Sequence, residues 1–200
     1  NQKDWTPLKS THERYADVLR ELGLKLDLNK YSPDSYRTLI GVSSDRSKNK
    51  HIGIAPFAKH EGKQLPLNRW AKVVETFSQR GYTLTFYGST EEKDLLSKFL
   101  PQSSAVNFDE STSFIEELKQ IAQLDAMISM DSANMHLASM VGTRVVSIWG
   151  ATHPSAGFIG FQQNDLDVVQ MPVDTLDCRP CSVYGNKPCF RNDYASLTHL

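Results

Sequence analysis

The sequence predicts an α/β domain built on a parallel sheet of five to six strands with flanking helices. From His51 onward, short apolar runs alternate with amphipathic helical stretches, and each helical stretch carries its own start and stop residues. The chain has 200 residues, 40% of them hydrophobic, which is enough for one sizeable core and short for two full domains.

Before the alternation begins, Ser10 and Glu13 have the spacing of a capping box, Tyr15, Val18, Leu19 and Leu22 recur at helical spacing, and Gly23 sits where a helix stops. These residues predict a first helix. Ser32-Pro33 offers a cap and a proline at N1, with Tyr36, Leu39 and Ile40 behind it. Gly41 and the polar run from Ser43 to Lys50 weigh against a helix there, so residues 24–50 read as a connector. Strands are expected at 52–55, 82–87, 105–108, 126–130 and 145–149, with a sixth at 166–169. The helices between them are expected at 66–80, 90–99, 114–123 and 132–141. Pro66 at N1 and Gly81 bound the first, Ser89 with Glu92 and Ser113 with Glu116 start the next two, and Gly142 stops the last. After Phe161 the chain becomes irregular, with Pro172, Pro180, Pro188 and three cysteines, and residues 171–200 read as a tail packed on the same domain.

Composition excludes several classes. The 22 Lys and Arg against 23 Asp and Glu are scattered and sum to −1, which argues against binding nucleic acid by charge. No run of eighteen apolar residues exists, and no apolar leader follows Asn1-Gln2-Lys3-Asp4, so a cytosolic location is expected. The phosphate-loop, serine-elbow and G-x-G-x-x-G fingerprints are missing, which removes the main support for a nucleoside triphosphatase, a serine hydrolase or a dehydrogenase. Cys178, Cys181 and Cys189, with His199 beyond, suit a zinc site, buried thiols or a local disulfide, and no metal is assigned.

Right-handed crossovers place the ligand loops at the carboxyl ends of the strands, here residues 56–65, 88–90, 131–134 and 150–158. The most informative is the turn from the fourth strand into the fourth helix of the alternation, Asp131-Ser132-Ala133-Asn134-Met135-His136. Unpaired amides and the positive dipole end suit a phosphate there, and small residues let it approach. The same residues also suit a plain cap and a buried histidine. The loop carrying Phe57, Ala58, Lys59 and Lys63 is long for its place and offers a cation. Gly88 and Glu91 close the second strand, where a carboxylate suits ribose hydroxyls, and Thr152 follows the fifth.

The segment Asp131 to Ala138 resembles the D-[ST]-[GA]-x-x-H-[LI]-[AT] motif of glycosyltransferase family nine, the lipopolysaccharide heptosyltransferases. Lys63, the helix start at Leu65-Pro66, the Gly88 turn, the stretch from Val145 to Pro154 and Cys178-Arg179-Pro180-Cys181 resemble that family in the same order, from about Thr11 to the end. The resemblance implies the C-terminal, Rossmann-like half of a GT-B enzyme. Residues 51–170 would form the nucleotide-sugar domain, 1–50 linker helices from the interdomain region, and 171–200 the cysteine-containing tail. It further implies ADP-heptose as donor, held by Lys63 and the backbone of residues 132–135 with His136 close by, and lipopolysaccharide core as acceptor. Inverting transfer would depend on a carboxylate base in an N-terminal acceptor domain, with no cofactor, at the cytoplasmic side of the inner membrane. The chain departs from the family at Ala133-Asn134, where Gly-Pro is frequent, and at Ser196, where a further cysteine is frequent. Another nucleotide sugar and a non-catalytic nucleotide-binding module are the alternative readings.

Overall fold

The computed structural model describes residues 5–43, 50–100 and 106–200. Six strands form one parallel sheet: β1 (His51–Ala55), β2 (Thr83–Phe86), β3 (Val106–Phe108), β4 (Ala126–Met130), β5 (Arg144–Trp149) and β6 (Val168–Gln170). Their order is β3-β2-β1-β4-β5-β6. The connections therefore diverge between β1 and β4, and the crevice at their carboxyl ends is where a doubly wound sheet takes its ligand. The expected start of the third strand at Ala105 lies outside the described residues.

Strand alternation sends side chains to two cores. Ile52, Ile54, Leu84, Phe86, Ile128, Met130 and Ile148 pack with Trp70 and Val74 of α3 (Leu67–Gln79) and Leu96 of α4 (Thr90–Ser97). On the other face, Ala55, Met127, Val145 and Trp149 meet α5 (Phe114–Ala122) and α6 (Ala133–Met140). Both faces are thus covered, as a parallel sheet requires.

Two local expectations need correction, and one helix docks by an unexpected face. Pro66 is the N-cap of α3 and Leu67 takes N1. Within the supposed connector, α2 (Pro33–Leu39) forms and packs on α6, and Gly41, with φ +76°, is the residue that terminates it. The apolar stripe of α1 (Thr11–Glu21) faces outward, with Tyr15 69% and Leu22 75% exposed. That helix docks instead by its first turn, where the Thr11 amide and hydroxyl both donate to Gly157 O and Arg14 Nη2 donates to Ala156 O.

The tail folds back over the ends of β5 and β6 and finishes in α7 (Ala195–Thr198), whose Leu197 joins the α3 core. Its anchor is Arg179, fully buried. The guanidinium donates to the carbonyls of Gly150 (2.6 Å), Met171 (2.6 Å), Thr152 (2.8 Å) and Trp149 (3.3 Å) and to Gln170 Oε1 (3.1 Å). Burial pushes its pKa down to about 10, opposed by Cys181 and Cys178. Cys178 and Cys189 are free thiols. Among the described residues, no group of three or more His, Cys, Asp and Glu side chains is placed to hold a metal, and no helix is long and apolar enough to cross a membrane.

Candidate functional site

A cleft of about 520 Å³ opens at the carboxyl ends of β2, β1 and β4, at the place the strand order marks. Its floor is the turn into α6. Ser132 is the N-cap of that helix, yet its hydroxyl caps no amide and lies 3.2 Å from Ser129 Oγ. The serines that precede α1, α2, α4 and α5 all accept a first-turn amide. The first turn of α6 also carries no acidic residue, so its dipole end is left for an anion from outside.

The loop after β1 brings Lys63 over this turn. Its short 3-10 segment, Glu61–Lys63, is pinned where Ala151 N donates to Gly62 O at 2.7 Å. A side chain at Gly62 would run into Ala151, so glycine permits the approach. Lys63 Nζ meets Asp131 Oδ2 at 2.9 Å, and Thr152 Oγ1 donates to the same oxygen at 2.8 Å. The Lys63 stem also packs on Gly185 of the tail, which has φ +73°.

His136 lies one turn into α6, its ring centroid 6.0 Å from that of His12 of α1. Burial holds its pKa below the usual 6.5, His12 and Lys63 push the same way, and Asp131 opposes them. It is therefore a neutral imidazole at neutral pH, suited to hydrogen bonding.

The structure brings Phe57, Ala58, Lys63, Gly88, Asp131, Ser132, Ala133, Asn134 and His136 together around the cleft. Three other candidates stand apart from its lining. The Met135 side chain is fully buried in the core, leaving only its backbone for a ligand. Thr152 is 1% exposed and reaches the cleft through Asp131. Glu91 is an exposed helix residue outside the cleft, and Glu92, which the sequence reading assigned only to the capping box, lines it. Sequence reasoning singled out none of Tyr87, Phe158, Val183 and Tyr184, although Phe158 closes the loop of 150–158 that topology had named. Tyr87 directly follows β2 and was legible by position; nothing in the sequence points the tail residues Val183 and Tyr184 toward this cleft.

Residues 8–186 match glycosyltransferase family 9 (heptosyltransferase). Lipooligosaccharide heptosyltransferase 2 of Haemophilus influenzae is 28% identical over 110 residues, covering 52% of this chain and 32% of that protein. Lipopolysaccharide heptosyltransferase 3 of Escherichia coli K12 is 27% identical over 163 residues, covering 73% of this chain and 46% of that protein. The chain thus spans less than half the length of either relative. The solved structure of E. coli heptosyltransferase WaaC with ADP-2-deoxy-2-fluoro heptose superposes with a TM-score of 0.63 at 17% identity, covering 86% of this chain and 53% of that one, a likeness of fold. With the family match running through nearly the whole chain, including the loop that carries Lys63 and the turn into α6, the chain belongs to glycosyltransferase family 9, the heptosyltransferases.

Proposed function

We propose that the cleft binds a nucleoside-diphosphate sugar, ADP-heptose, and that the domain serves as the donor half of a glycosyltransferase acting on lipopolysaccharide core. One observation carries the reading: Lys63, paired with Asp131, lines the same cleft as the first turn of α6, whose N-cap side chain bonds no amide, so an ammonium and backbone amides share one cleft. Family membership and relatives named as heptosyltransferases supply the substrate class.

In this reading the first-turn amides of α6 and Lys63 bind the diphosphate and stabilise the charge that develops on it as the sugar departs. His136 donates a hydrogen bond beside it, and Asp131, fixed by Thr152, orients Lys63. Attack with inversion requires a carboxylate that takes the acceptor proton, expected from an acceptor domain N-terminal to this one. The chain then divides into interdomain helices (1–50), the donor domain (51–170) and a tail (171–200). The outward apolar face of α1 supports assigning it to an interdomain region. The location that fits is the cytoplasm, at the inner membrane face.

Calorimetry with ADP, UDP and GDP tests the donor assignment. ADP is expected to bind tightest, and failure of all three to bind would overturn it. A non-catalytic module would retain full ligand affinity after Lys63→Ala or His136→Ala.

A further inference from the structure

His136 borders two cavities. It lines the cleft at the turn into α6, and it also lines a groove of about 560 Å³ between α1, α2 and α6. The walls of that groove are largely apolar, with Ala16, Leu19, Leu28, Leu137 and Met140, and His12 reaches into it from the first turn of α1. The His12 ring centroid lies 6.0 Å from that of His136 and 5.3 Å from that of Phe161, edge to face in both cases. Phe161 in turn meets Tyr31 at 5.4 Å, and the Tyr31 hydroxyl donates to Met140 O at the far end of α6. His12 thus belongs to a line of rings braced at both ends of one helix. The turn that carries it is fixed in place: the Thr11 amide and hydroxyl hold Gly157 O, and the Arg14 guanidinium lies 5.7 Å from the ring of Phe158, another residue of the cleft.

We propose that His12 is a positioning residue for the donor site, holding the His136 imidazole in its binding orientation from outside the cleft. The inference rests on the nucleotide-sugar reading above. Among the described residues no hydrogen bond holds the His136 ring, so packing decides where its nitrogens point. The second side-chain torsion of a histidine is broad, and an edge-to-face neighbour narrows it. A ring that is already oriented loses no further freedom when a diphosphate arrives, so His12 raises affinity without touching the ligand. Burial holds both imidazoles below the ordinary pKa of 6.5, so at neutral pH the pair is uncharged and its close approach costs no repulsion. The charged groups that act on His136 from the cleft side are Asp131 and Lys63, in opposite directions. An aliphatic side chain at position 12 would suit the groove equally well; the planar ring is what gives His136 a directional neighbour.

Calorimetry of ADP on the full chain compares wild type, His12→Ala, His12→Phe and Leu19→Ala, with the His136 ring titrated by NMR in each. His12→Ala is expected to bind ADP about three- to tenfold more weakly and to shift the His136 pKa up toward 6.5, as that ring gains water and loses a neighbouring imidazole. His12→Phe keeps a ring at the same place and is expected to bind within about twofold of wild type. Leu19→Ala trims the same groove two turns along α1, at a residue 40% exposed, and is expected to bind as wild type does. Wild-type affinity in His12→Ala would overturn the proposal. An equal loss in Leu19→Ala would also overturn it, by assigning the effect to the docking of α1 as a whole, and failure of His12→Phe to restore affinity would rule out positioning by the ring. If wild type binds no ADP, the nucleotide-sugar reading itself fails, a result distinct from the other three.

Discussion

Thr152 donates its hydroxyl to Asp131 Oδ2 at 2.8 Å, the oxygen that also meets Lys63 Nζ. Thr152 is itself out of reach of a ligand, so any effect it has on binding passes through the carboxylate. Thr152→Val keeps the shape and removes the donor, leaving Asp131 short of a hydrogen bond in a nearly closed site. Stability is expected to fall by about 1–3 kcal/mol in urea denaturation, with weaker ADP binding, and Thr152→Ser should restore both. A valine variant with wild-type affinity would show that Asp131 holds its place unaided.

Lys63→Ala removes the cation from the proposed diphosphate site and leaves the Asp131 carboxylate without this ammonium. ADP affinity is expected to fall at least about tenfold, and stability by on the order of 3 kcal/mol, because the charge left behind is largely buried. Adding Asp131→Asn should recover much of the stability and none of the affinity. Recovery of both by the double variant would mean that Lys63 serves the fold alone.

Stability should depend on pH in a definite direction. His12, His51, His136 and His153 all have pKa values held below 6.5, chiefly by burial, and His153 is pushed down to about 4, with Arg179 contributing. The unfolded chain therefore binds more protons between about 4 and 6.5 than the folded one does. The stabilisation is present above pH 6.5 and is lost as pH falls toward the folded values. Melting temperatures measured from pH 7.5 down to 4.5 are expected to fall over this window, and His153→Asn should flatten the lower part of the slope. A flat profile would contradict the burial of these rings.

Arg179→Lys should be nearly as damaging as Arg179→Met. A single ammonium cannot span the four carbonyls and the Gln170 side chain that the planar guanidinium reaches. Both variants are expected to lose on the order of 3 kcal/mol or more through unsatisfied carbonyls, measured by denaturant titration.

The sheet was legible because each strand and helix carries local signals that agree with its place: apolar runs at 52–55 and 126–130, the Ser89–Glu92 box, and glycines after α3 and α6. α2 was undervalued because Gly41, read as a helix breaker, is a helix terminator, and only the packing of α2 on α6 distinguishes these roles. The outward face of α1 shows the same limit, since periodicity reveals an apolar stripe without saying what lies opposite. In the site, residues 131–136 could be read from helix-end chemistry, whereas loop position offered Lys59 and Lys63 alike and the family resemblance alone singled out Lys63. Glu92 was masked by its visible capping role, and Tyr184 by an irregular tail whose path depends on long-range hydrogen bonds.

The brace formed by the tail ties folding to the shape of the cleft. Every strand of the sheet precedes the residues that lock the loop of 150–152 and flank the stem of Lys63, through the Cys181 amide on Ala151 O, the Arg179 fan and Gly185. Because Leu197 also fills the α3 core and Arg179 satisfies carbonyls of the strand ends, trimming behind β6 would remove part of the core together with the brace, so the last thirty residues belong to the folding unit as much as to the cleft.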